Sequence, residues 1–182
     1  SVDETFVIAG AEGATEPRGG NVAPAVHVSE TTRVAEFNDL ASVEAGLAHV
    51  DVAVVVMEPA LTNIGIVLPE PGFLEGVREL CTRYGALLLI DETHTISAGP
   101  GGCTRAWGLE PDIFVIGKSI GGGIPSGAYG ITEAVAAEIR RHAEVDLVDV
   151  GGVGGTLAGN VLSTAAMRAT LGEVLTDEAF EH

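Results

Sequence analysis

From Asp51 onward, short β-branched and aliphatic runs alternate with amphipathic stretches. "DVAVVVM", Asp51 to Met57, has the length and valine content of a buried strand. The following "PEPGFLEGVRELCTRYG" sets Phe73, Leu74, Val77, Leu80, Cys81 and Tyr84 on one helical face, with Pro71 near the start and Gly85 as the stop. "ALLLID" reads as the next buried strand, the glycine-rich stretch from Thr93 to Arg105 as a polar loop, and "DIFVIG" as a third strand. Strand, helix and strand at a spacing of about 30 residues predict a βαβ unit, hence parallel strands joined by right-handed crossovers. "GAYGIT" predicts a further strand, "TEAVAAEIRRH" a helix capped by Thr132, and "GNVLSTAAMRATLGEVL" a longer helix. Upstream, "FNDLASVEAGL" predicts a helix capped near Asn38 or Asp39. The first 35 residues, rich in Gly, Pro and Thr, predict no element, and no repeat suggests a solenoid.

Composition narrows the function classes. With 182 residues, 46% of them apolar, the chain can build one sizeable core. Nine basic against 26 acidic residues give a net charge of −17, which argues against a nucleic-acid or anionic-membrane partner. No apolar run approaches the roughly 20 residues needed to cross a bilayer, and "SVDETFVIAG" has none of the features of a secretion signal. Cys81 and Cys103 stand alone, without the spacing of a disulfide framework or a zinc site. A cytoplasmic protein with reduced thiols and no metal is the expectation.

In an open α/β sheet, ligands bind outside the carboxyl ends of the parallel strands. "EPALTN", "DETHT" and "GKS" fall at three such ends, so Glu58, Asn63, Asp91, His94 and Lys118 are expected on one rim. Lys118 is the only lysine in the chain. "GKS" after an apolar strand also invites a phosphate-loop reading, but that loop needs a glycine where Asp112 stands, and the glycines here follow the lysine. "DETHT" offers no second histidine for a metal site, and His94, like His27, His49 and His142, reads as a hydrogen-bonding residue.

A lysine amine attacks carbonyls only when neutral, and a semi-buried strand end favours that form by desolvation. Asp91 on the neighbouring strand end could simply form a buried ion pair with Lys118. With pyridoxal phosphate the two would divide the labour, the lysine holding the aldehyde as a Schiff base and the carboxylate keeping the ring nitrogen protonated.

Three stretches, "VVVMEPALTNIGIVLPEPGFLEGVRELCTRYGALLLIDETHT", "GLEPDIFVIGKSIGGGIPSGAYG" and "GGTLAGNVLSTAA", resemble consecutive motifs of the class III pyridoxal-phosphate aminotransferases. These are fold type I enzymes of the aspartate aminotransferase branch, and the resemblance is nearest to the glutamate-1-semialdehyde aminomutase-like group. It implies an α/β three-layer sandwich with a mostly parallel mixed sheet. It implies that Lys118 is the Schiff-base lysine and that Asp91 pairs with the pyridine nitrogen. Thr93 stands where the family has a valine on one ring face. Asn63 matches the "N-x-G" form near the cofactor's phenolic oxygen, and His94 takes the place of a glutamine or methionine close to the same atom. Thr156, in "GGTLAGN", resembles the threonine that reaches the phosphate of the neighbouring subunit's cofactor, while "GNV" replaces the usual "GNP".

The resemblance further implies amino transfer between an amino-acid or amine substrate and a keto acid or aldehyde, in a homodimer. An intramolecular aminomutase reaction and a non-catalytic α/β binding module are the alternatives. The family's N-terminal phosphate-binding motif, its tyrosine-containing substrate segment and its small C-terminal domain have no counterpart in the sequence. The expectation is that residues 1–182 are part of a large cofactor-binding domain, inactive by themselves.

Overall fold

In the computed structural model the described residues are 7–9, 15–17, 31–142 and 157–181. The chain divides into two compact units, Ser1–Arg33 with Ala136–Ala158, and Val34–Val135 with Gly159–His182. In the first, β1 (Val7–Ala9) and β2 (Thr15–Pro17) form an antiparallel pair, Val7 opposite Pro17.

The second unit holds the predicted βαβ arrangement. β3 (Val54–Met57), β4 (Leu87–Asp91) and β5 (Ile113–Gly117) run parallel, and β6 (Gly127–Ile131) closes the sheet antiparallel to β5, in the order β3-β4-β5-β6. Helix α1 (Leu40–Leu47) begins at Asp39, whose Oδ1 accepts the N–H groups of Ala41 at 2.9 Å and Ser42 at 3.1 Å. Two orphan donors of the first turn are thereby satisfied. Helix α2 (Phe73–Tyr84) is the crossover between β3 and β4 and ends at Gly85 in the left-handed conformation.

The apolar stripe foreseen on α2 is the core. Phe73, Leu74, Val77, Leu80 and Cys81 are buried against Val43 and Leu47 of α1 and against Leu88 and Ile90 of β4. Tyr84 and Phe37 are partly buried at its margin, the Phe37 ring meeting Phe73 edge-on at 4.9 Å. Because successive strand side chains point to opposite faces, Leu88 and Ile90 face the helices while Asp91 projects from the other side. Asp112 is tied to Arg78 at 2.7 Å and to the Leu88 amide at 2.8 Å. Through these bonds Asp112, just before β5, is joined to α2 and to the start of β4.

Three expectations change. The strand predicted from Asp51 is ordered as β only from Val54, and Val56 is 63% exposed on the edge strand rather than buried. The Thr93–Arg105 stretch is not an irregular loop, since it contains a 3₁₀ turn, Thr95–Ala98, and helix α3 (Gly102–Ala106). After β6 comes helix α4 (Glu133–Arg141), with Thr132 Oγ1 accepting the Val135 N–H at 3.4 Å as its predicted cap. The long helix expected beyond Gly159 is α5 (Val161–Ala169), capped by Asn160, then a π-helical turn, Thr170–Val174, and the short α6 (Asp177–Phe180).

Candidate active site

The carboxyl ends of β3, β4 and β5 open on a concavity of about 180 Å³ lined by Glu58, Asn63, Asp91, Thr93, His94 and Lys118. The rim expected from three separate strand ends is therefore one site. Thr156 lies outside the described residues.

Asp91 is the last residue of β4 and pairs in register with Val115 of β5. Its Oδ1 accepts the Thr93 N–H at 2.8 Å, a turn that fixes the carboxylate, and among the described residues no donor reaches Oδ2. Thr93 lies over the end of β5, since a Cβ placed on Gly117 would meet the Thr93 methyl at 3.4 Å. The two strand ends are thus close neighbours at the floor of the site.

Lys118 follows Gly117 and opens the 3₁₀ turn Lys118–Gly121. Its φ of 49° is in the left-handed region, a conformation that costs a non-glycine residue about 1–2 kcal/mol. Such a backbone persists only where the surroundings impose it, and it often marks a functional position. The turn directs the chain away from the strand as the lysine side chain reaches the concavity. The semi-buried lysine of the sequence reading is corrected here, because Lys118 is exposed. It sits at the open mouth formed by three loops, and no described residue covers it. Nor do Lys118 and Asp91 form the ion pair that a purely structural role would require, since no salt bridge joins them among the described residues.

Beside this pair is a polar cluster that the sequence reading recovered only in part. Thr62 Oγ1 is 2.5 Å from Glu58 Oε2 and also in hydrogen-bond contact with His94 Nδ1, while Asn63 Nδ2 donates to Glu58 Oε1 at 3.3 Å. Paired backbone hydrogen bonds of 3.0 Å between Leu61 and Val67 close the loop and hold Thr62 and Asn63 over the strand end. Thr62 was missed, because a threonine in a loop carries no signal until its partner, 32 residues further on, is known.

Glu92, adjacent to Asp91, has a different task. It is fully buried, and its carboxylate accepts the Thr95 hydroxyl, the Cys103 N–H at 3.2 Å and the Thr104 N–H. It therefore satisfies the first amides of α3 and secures the segment after Asp91. Burial, with Glu92 adding to it, pushes the Cys103 thiol above its ordinary value.

Comparison with known proteins gives this geometry its family. The sequence model for aminotransferase class-III matches residues 20–182. Glutamate-1-semialdehyde 2,1-aminomutase of Syntrophomonas wolfei is 46% identical over 143 residues, 77% of this chain and 32% of that protein. Among solved structures, a variant glutamate-1-semialdehyde aminomutase from Pseudomonas aeruginosa PAO1, in complex with PMP, is 50% identical with a TM-score of 0.78, over 100% of this chain and 41% of that one. A β-phenylalanine aminotransferase from Variovorax paradoxus is 33% identical with a TM-score of 0.69, over 81% and 34% of the two chains. The chain thus spans about a third of the length of the curated relatives it matches. The mixed sheet and its flanking helices are those of a partial fold type I domain, and the chain belongs to the class III aminotransferase family.

Proposed function

We propose that this chain forms the central part of the large domain of an enzyme that uses pyridoxal 5′-phosphate to transfer an amino group between an amino compound and a keto acid or aldehyde. The observation that carries the reading is that Asp91 and Lys118, on adjacent parallel strand ends, face one concavity without pairing to each other. The relatives' names support the same chemistry, as does the PMP held by the aminomutase from Pseudomonas aeruginosa.

The residues fit that cofactor. A carboxylate with one oxygen fixed by the Thr93 amide and, among the described residues, no donor on the other suits a protonated ring nitrogen, and an amine that pairs with none of them suits an aldehyde. Thr93 offers a methyl group beside the floor of the site, and Asn63 offers a polar group for a ring oxygen. Thr156 is assigned to a neighbouring subunit's phosphate by resemblance alone, and a homodimer is part of this reading.

When bound, the cofactor supplies an electron-withdrawing ring that labilises a bond at the amino-bearing carbon. Asp91 would hold a negative charge beside the ring nitrogen and so stabilise the positive charge there. The Nζ of Lys118, exposed at the mouth, could take the proton from the substrate's amino-bearing carbon as general base and, as general acid, deliver it to the carbon that receives the amino group. Trapping the covalent adduct gives a direct test. Borohydride treatment of the full-length holoenzyme should leave a pyridoxyl group on the Lys118 peptide, and an active, reduced preparation unmodified there would refute the assignment.

A second reading is intramolecular transfer, favoured by relatives at 46% and 50% identity that carry the aminomutase name. Turnover that persists without any added keto acid would support it. A strict requirement for an amino acceptor would support the transaminase.

A further inference from the structure

We infer that Glu58, Thr62 and His94 form a positioning chain that fixes His94 as its Nδ1–H tautomer, so that Nε2 is presented as a hydrogen-bond acceptor for a donor group of the bound amino compound. Only the identity of the ligand rests on the function proposed above. The tautomer follows from the side chains themselves.

Protons along the chain can be counted. As a carboxylate, Glu58 can only accept, and its Oε1 already accepts from Asn63 at 3.3 Å. The single hydroxyl proton of Thr62 is therefore directed to Glu58 Oε2, 2.5 Å away. The Thr62 oxygen is then left as an acceptor towards its other neighbour, His94 Nδ1. That contact needs a proton on Nδ1, and Glu58 Oε2 at 3.7 Å from the same nitrogen favours the N–H as well. A neutral imidazole carries one N–H, so Nε2 keeps a lone pair.

His94 lines the concavity and its side chain is 33% exposed, and among the described residues no group hydrogen-bonds to Nε2. The charged groups that share the concavity with the ring are Glu58, Asp91 and Lys118. Glu58 is engaged by Thr62 and Asn63, and Asp91 by the Thr93 amide through one oxygen. An unengaged acceptor on a fixed ring is complementary to an ammonium or hydroxyl group and poorly matched to an anionic one. Thr62 acts here only through His94 and is a positioning residue.

The experiment uses the full-length protein with histidine labelled in the heavy nitrogen isotope, observed by long-range proton–nitrogen correlation. At about pH 8.5, some two units above the ordinary imidazole value, His94 should show the Nδ1–H pattern. Thr62→Val, which keeps the shape and removes the hydroxyl, should convert it to a mixture or to Nε2–H, and Thr62→Ser should restore it. In kinetics, Thr62→Val should raise KM for the amino substrate about tenfold with a smaller change in kcat, a difference of about 1.4 kcal/mol. A wild-type Nε2–H pattern, or an unchanged pattern in Thr62→Val, would overturn the chain. An altered tautomer with unchanged KM would overturn the acceptor role. Spectra recorded without substrate decide the tautomer even where Lys118 takes up no cofactor, so the two readings fail separately.

Discussion

Replacing Glu92 by glutamine isolates the support beneath the site, because the change preserves shape and alters only the pattern of donors and acceptors. The carboxylate accepts from the Thr95 hydroxyl and the Cys103 N–H through Oε2 and from the Thr104 N–H through Oε1. Glutamine has one acceptor oxygen. With its carbonyl towards Cys103, its amide NH₂ faces the Thr104 N–H. Turned over, it satisfies Thr104, and Thr95 can rotate its hydroxyl, but the Cys103 N–H loses its acceptor. One backbone donor is orphaned either way, at a cost of about 1–3 kcal/mol for a buried group. Relief from burying a charge offsets part of this, which leaves a loss of about 1–2 kcal/mol. Gly102 is what makes room for this carboxylate, because a Cβ there would lie 2.7 Å from the Glu92 carboxyl carbon and Gly102 has a φ of 62°. Urea unfolding of the full-length protein is the assay, and with a slope of about 4 kcal/mol/M, above the small-protein range because the slope grows with chain length, the midpoint should fall by about 0.3–0.5 M. The slope should not change. A midpoint within about 0.1 M of wild type would show that the segment after Asp91 does not depend on these bonds.

Asp91→Asn should retain the fold, since its amide oxygen can still accept from Thr93, yet reduce turnover of the holoenzyme by about 100- to 1,000-fold. Near wild-type turnover with cofactor bound would refute the role given to the carboxylate. Lys118→Ala and Lys118→Gly both remove the amine but differ at a backbone φ of 49°. The glycine variant escapes a left-handed cost of about 1–2 kcal/mol and gives back about 0.5–1 in chain entropy, so it should be the more stable by about 0.5–1 kcal/mol in the same unfolding assay. An alanine variant of equal or greater stability would mean that the turn is unstrained. Burial pushes the thiols of Cys81 and Cys103 above 9.0, with Arg78 partly opposing the shift at Cys81. Unfolded thiols ionise first as pH rises, so the stability these thiols contribute below 9.0 should be lost progressively above it. Measured stability that rises across that range in wild type but not in a Cys81→Ala, Cys103→Ala variant would contradict this sign.

Much of the framework was legible because strong local patterns coincide with it. The apolar runs ending at Met57, Asp91 and Gly117 are the three parallel strands, and the chemistry sits where each run turns polar. The α2 stripe is legible for the same reason, its burial following the helical period. Short helix α3 was not, since its amides are satisfied by Glu92 from outside the helix, 11 residues before Cys103. Exposure of Lys118 was also hidden, because an apolar strand before a lysine says nothing about how far the following turn carries it towards solvent. Thr62 shows the same limit, as its partners come from two different loops.

The pairing of β4 with β5 gives the site a fixed gauge. Asp91 is level with Val115, so Gly117, the last residue before Lys118, lies two residues further along, about 7 Å by strand geometry, and one strand spacing of about 5 Å to the side. Backbone hydrogen bonds set these intervals, and side-chain substitutions in the core can vary without changing them. A single inserted residue within β4 would instead turn Asp91 towards α1 and α2, whereas residues added to the loop beyond Val67 would leave the interval untouched. For an engineer, the loops around this site are open to redesign, and the length of β4 is not.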